Sequence, residues 1–234
     1  MKYNRKSLLH AYMILTLYLV VSYWILNRYE IANPSNGSII AITTNAFSYY
    51  DLRTVTYIYS AMYLLFINLV IQRSPHYILR LGNRNSIIVS YFRKILGTSF
   101  GFVTLHGSLG IILTILFFGI EKVLLNHFLL LSIIYASVLF LYFLIIALFL
   151  SVLEILFSVN ISLILGLIII IFCYFMNNKL WTPILDTRIF GFAYIDTGGL
   201  NIFDITRIYL RQIAVISMLL IVKSILIQRK DYFE

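Results

Sequence analysis

The residues best equipped for chemistry are a serine and a histidine. Gly97-Thr98-Ser99-Phe100-Gly101 fits the G-x-S-x-G pattern of hydrolase nucleophiles, and His106 follows seven residues after the serine, on roughly the same side of a helix. A nucleophile elbow, however, is a strand, a sharp turn and then a helix, whereas these residues stand inside an apolar run. The plainer expectation is that Gly97, Gly101, Gly107 and Gly110 form a small-residue face against which another membrane helix packs. An intramembrane hydrolase using Ser99 and His106, or a non-transporting membrane partner such as an immunity or sensor-associated protein, stands as the alternative. Asp196-Thr197-Gly198 has the form of an aspartic-protease turn, but two acids must share such a site, so it reads as an ordinary turn. His10, His76 and His127 are scattered without H-E-x-x-H spacing, and the single cysteine, Cys173, offers neither a disulfide nor a cysteine metal cluster. No catalytic, cofactor or metal site is therefore expected in this chain.

The elements that must carry these residues are set by composition. Of 234 residues, 61% are hydrophobic and 12% charged, with a mean hydropathy of +0.93, whereas about a quarter of an ordinary soluble domain is charged. The net charge of +9 would suit a polyanion-binding surface, but the bases fall in short segments between long apolar runs, so no nucleic-acid partner is expected. A bilayer core of about 30 Å calls for roughly 20 apolar helical residues. Windows of that size predict an all-α polytopic membrane protein, a single domain over 1–234 with six transmembrane helices at about 8–26, 55–72, 95–119, 129–153, 161–176 and 208–227. The fourth and fifth share one run in which Glu154 is the only charge, and Ser158, Asn160 and Ser162 supply turn and cap chemistry, which places a tight turn near 154–160. The basic start and first apolar stretch also fit a secretory signal, but the stretch is long and no small-x-small site follows Leu26 closely, so an uncleaved span is expected.

Orientation follows from the bases. Lys2, Arg5 and Lys6, then Arg73, Arg80, Arg84, Arg93 and Lys94, then Arg229 and Lys230 all fall on one side of six spans, whereas the bases of the other side are diluted by acids. Both termini are accordingly expected in the cytoplasm. Coupled carriers usually hold several ionisable groups at mid-membrane depth, and Glu154, at the expected inner turn, reads instead as a surface residue. The chain also lacks G-x-x-x-x-G-K-[ST], so any ATP it uses must be bound elsewhere.

Two connections stand out. In the cytoplasmic loop 73–94, Ser74 and Pro75 open and Gly82 closes a short helix over 75–81, in which Ile78, Leu79 and Leu81 offer apolar contacts while Arg80 and Arg84 stay wet. It either docks in a groove of another protein or lies on anionic headgroups. A turn at 83–85 and a helix from Ser86 then feed the third span. In the external segment 177–207, Trp181, Phe190 and Phe192 suit an interface, and Pro183 and Gly198-Gly199 divide it into short pieces over 183–194 and 200–207. Asp204, Arg207 and Arg211 share a helical face at the outer mouth of the sixth span, either snorkelling or taking part in gating.

Six spans, the helix at 75–81, the two pieces over 183–207 and the charged ending Gln228-Arg229-Lys230-Asp231-Tyr232-Phe233 resemble an ABC-2 type exporter permease. The resemblance implies two cytoplasmic ABC ATPase subunits, which bind the ATP and magnesium, and a second permease copy or paralogue. It implies that Pro75, Ile78, Leu79, Arg80, Leu81 and Arg84 form the coupling helix and its flank. It also implies that Trp181, Phe190, Phe192, Asp204, Arg207 and Arg211 belong to a re-entrant outer gate. One departure is the N-terminus, where little room precedes Leu8 for the amphipathic helix frequent in the family. Small Gram-positive exporters of amphipathic peptides, such as phenol-soluble modulins and lantibiotics, look similar, which implies a bacterial plasma membrane, membrane lipid as neighbour and an amphipathic peptide as substrate.

Overall fold

Long runs of Leu, Ile, Val and Phe leave the backbone no water to bond with in a bilayer, and helices satisfy it internally. The computed structural model describes residues 5–32, 39–44, 47–71, 84–125, 128–177 and 202–229. These form α1 (Arg5–Leu26), α2 (Arg28–Ala32), α3 (Ile39–Thr44), α4 (Leu52–Thr54), a π-helical segment (Val55–Tyr59) and α5 (Ser60–Val70). There follow α6 (Arg84–Phe118), α7 (Ile120–Leu125), α8 (Phe128–Leu156), α9 (Val159–Asn177) and α10 (Ile202–Arg229), with no strand among the described residues. Five helices, α1, α6, α8, α9 and α10, are long and apolar enough to cross a membrane, and the chain is an all-α membrane protein.

Helix α8 is the central post. Of its most apolar stretch 61% is buried, against 17% for α9 and 22% for α10, because α6, α10 and α9 all pack on it. Phe143, Ile145 and Leu148 at its middle are fully covered. The turn after it falls at Phe157 and Ser158, within the expected window, and α9 restarts with the Ser162 N–H donating to the Ser158 carbonyl at 2.9 Å.

Three local expectations are corrected. Residues Arg84 and Asn85 do not form a turn but open α6, which runs 35 residues without a break, and Ser86 lies inside it. Once nucleated, a helix propagates through serine and glycine when neighbouring helices cover it. Residues from Ile202 onward are likewise not a separate short helix, since nothing between Ile202 and Arg229 interrupts the 28 residues of α10. The second expected span is not uniform either: α4, the π segment and α5 contribute 3, 5 and 11 residues, and Ile71 leaves the helix with ψ 83°. At the far end of α6, Gly119 takes φ +87°, a conformation that stops the helix and that other side chains resist.

Pro75, Ile78, Leu79, Arg80, Leu81, Trp181, Phe190 and Phe192 lie outside the described residues, as do His76, His127 and the Asp196 turn. Arg84 is the first residue of α6, and Asp204 lies in the first turn of α10.

Candidate functional site

Two buried clusters of polar side chains lie at opposite ends of the bundle. The first is aromatic. Phe47 adopts φ 62° and its N–H donates to Asp51 Oδ2 at 2.8 Å, while the Arg53 guanidinium sits 5.5 Å from the Phe47 ring centre. The Tyr50 N–H donates to the Thr43 carbonyl at 3.0 Å. This pinned turn drives Ser48, Tyr49 and Tyr50 inward, where all three are buried.

Tyr49 stacks on the His106 imidazole with ring centres 4.5 Å apart and planes within 12°, and its hydroxyl donates to the His106 carbonyl at 3.0 Å. Tyr59 meets the imidazole at 4.8 Å and 76°, and Tyr50 at 5.7 Å and 80°. The Tyr135 hydroxyl, from α8, donates to the Tyr50 carbonyl at 3.1 Å, and Tyr23, from α1, shares a 2.9 Å hydrogen bond with Thr114. The π segment brings Tyr59 into this group: its wider turn lets Ser60 donate five residues back, to the Val55 carbonyl at 2.9 Å, and meet the Tyr142 hydroxyl at 2.8 Å. Gly110 makes the insertion possible, because a Cβ there would collide with the Tyr50 hydroxyl and the Tyr49 ring.

Ser99 and His106 do not form a dyad. Ser99 Oγ donates to the Ile95 carbonyl at 2.9 Å and accepts from the Tyr63 hydroxyl at 2.6 Å, so its bonding is spent within its own helix and on α5. Both imidazole nitrogens of His106 lack a hydrogen-bond partner among the described residues, and the ring is held by packing alone. The step of seven residues from one to the other amounts to about 10 Å along the helix axis. Of the glycines of the expected packing face, Gly101 lies against Tyr12, Gly107 against Ala136 and Gly110 against the two tyrosines, whereas a Cβ at Gly97 would meet nothing within 4 Å among the described residues.

The second cluster is charged, and the sequence reading missed it. Lys223 of α10 is only 4% exposed, and its Nζ lies 3.6 Å from the centre of the Tyr91 ring on α6. The Tyr91 hydroxyl donates to Glu154 Oε2 on α8 at 3.3 Å. Glu154 is therefore not a plain surface residue of the turn; it is half-buried in the last turn of α8 and bound to the neighbouring helix. A signal did exist, since Lys223 interrupts an apolar run, but nothing in the sequence names Tyr91 as its partner.

At the other end of α10, Arg207 and Arg211 line a groove of about 470 Å³ together with Phe203, Thr206, Leu210 and Ala214. Among the described residues no group of three His, Cys, Asp or Glu side chains gathers in a way that would hold a metal ion. Compared with protein-family models, curated proteins and solved structures, the chain finds no match.

Proposed function

We propose that the chain is the membrane-spanning permease subunit of an ATP-driven exporter of the ABC-2 type, moving an amphipathic or hydrophobic substrate, such as a peptide, out of a bacterial cell. The observation that supports this reading most is the 35-residue helix α6, which runs unbroken from the basic connection to the far end of the bundle. A force applied to the connection before Arg84 would pass into the bundle through a rigid rod. The chain itself has no P-loop, so the force must come from elsewhere.

In this reading 52–70 serves as the second of six spans, both termini face the cytoplasm of a multi-pass plasma-membrane protein, and two ABC ATPase subunits engage the 75–81 segment. A second permease copy or paralogue completes the conduit, and Arg207 and Arg211 stand at its outer mouth. Magnesium and ATP bind to the partner ATPases. The test is co-purification with the P-loop ATPase encoded by a neighbouring reading frame, followed by ATPase measurement. Association that is lost in Arg80→Glu and Leu81→Asp supports the reading; association and coupling that survive both substitutions overturn it.

A further inference from the structure

An ammonium group buried in a membrane helix is costly, and such groups are found where they meet a partner and serve a purpose. Lys223 meets its partner in an unusual way, since one tyrosine ring takes the cation on its face while its hydroxyl donates a hydrogen bond to a carboxylate on a third helix. We propose that Tyr91, Lys223 and Glu154 form a latch that holds the basic end of the bundle closed, and that α6 is the lever that releases it.

Three features carry the proposal. Helices α6 and α10 each pack extensively on α8 but touch one another over only a short stretch, and the Tyr91–Lys223 contact ties them directly. One ring meets both Lys223 and Glu154, so a rotation or slide of α6 that lifts Tyr91 off Lys223 also moves it away from Glu154. And the latch has a second position to go to. Lys223 lies six residues, about 9 Å of helix, from Arg229, within reach of the headgroups for a side chain whose apolar stem can snorkel. Tyr91 stands only seven residues into α6, about 10 Å from its start, so a displacement of the helix start reaches it directly. The proposal rests on the exporter reading solely for what pulls the lever.

Thiol labelling in lipid tests the latch without any ATPase. With Cys173→Ser removing the single native cysteine, Ile95→Cys reports on the latch, since Ile95 is fully buried one turn above Tyr91 on the same face of α6. Val103→Cys, 4% exposed and farther along α6, reports on the rest of the bundle. The protein is reconstituted in vesicles of phosphatidylglycerol and phosphatidylethanolamine and treated with a small water-soluble methanethiosulfonate. Tyr91→Leu and Lys223→Gln should each speed labelling of Ile95→Cys by about tenfold or more. The double variant should go no further than either alone, because both remove the same contact. Lys223→Arg, which keeps a cation over the ring, should stay near the parent rate, and Val103→Cys should stay protected throughout. Unchanged labelling of Ile95→Cys, additive effects, or equal loss of protection at Val103→Cys would each overturn the latch. Adding the neighbouring ATPase with ATP is a separate arm: if the latch variants behave as stated but ATP leaves labelling of the parent unchanged, the exporter reading fails and the latch stands.

Discussion

At one end of the bundle the buried polar groups are neutral and wedged among rings; at the other a cation and an anion share a single ring. Around His106, Tyr49, Tyr50 and Tyr59 arrive from the chain between α3 and α5, Tyr135 from α8 and Tyr23 from α1, and the imidazole makes no hydrogen bond of its own. What such a cluster supplies is packing, which is lost only when volume is lost. Around Tyr91 the attraction is electrostatic, it depends on keeping water out, and Lys223 has a long stem that can carry its charge elsewhere. The first arrangement suits a fixed point and the second a movable one.

The sharpest way to break this comparison is at His106. His106→Ala should lower the unfolding free energy in detergent micelles by about 3 kcal/mol, the cost of removing a ring from a filled core, whereas His106→Phe should hold stability near the parent. If His106→Phe costs as much as His106→Ala, the imidazole is held by polar contacts and the two ends are alike. Next comes Gly110→Val, for which forced repacking of Tyr49 and Tyr50 should cost about 2 kcal/mol in the same measurement. At the charged end the sign should reverse. Lys223→Met, an apolar side chain of similar length over the Tyr91 ring, should raise unfolding stability by about 1 kcal/mol, since buried charges often cost more than they return. The smallest effect is expected from Tyr91→Phe, which keeps the ring under Lys223 and gives up the 3.3 Å bond to Glu154, for a loss of about 0.6 kcal/mol.

Much of the architecture could be read from the chain because bilayer thickness acts residue by residue. The run holding Glu154 is too long for one span, and the break at Phe157–Ser158 falls where serine and asparagine offer turn chemistry. Helix ends were less legible. Arg84 and Asn85 look like a turn, yet α6 includes them, because helix propagation outweighs weak local preferences. The clusters were least legible of all. Ser99 and His106 drew notice through spacing along one helix, but their partners stand on others: Tyr63 is 36 residues from Ser99, and Tyr49 is 57 from His106. Tyr49 and Tyr50 lie in a stretch that hydropathy assigns to an external connection, and no local pattern tells that the stretch folds inward. The π segment has no sequence signature either, since its wide turn is fixed by the bonds Ser60 makes to Val55 and Tyr142.

The inward fold of Tyr49 and Tyr50 has a bearing on traffic. Among the described residues the axis of the bundle is occupied along its length, by Tyr49 and His106 near one end, by Tyr63, Phe102 and Phe143 in the middle and by Ile95 and Lys223 toward the other. In the exporter proposed above, a cargo would travel over the flank of this chain, with a second surface forming the opposite wall. The aromatic end fills the protein's own interior, and on that proposal the outside of the helices is the route.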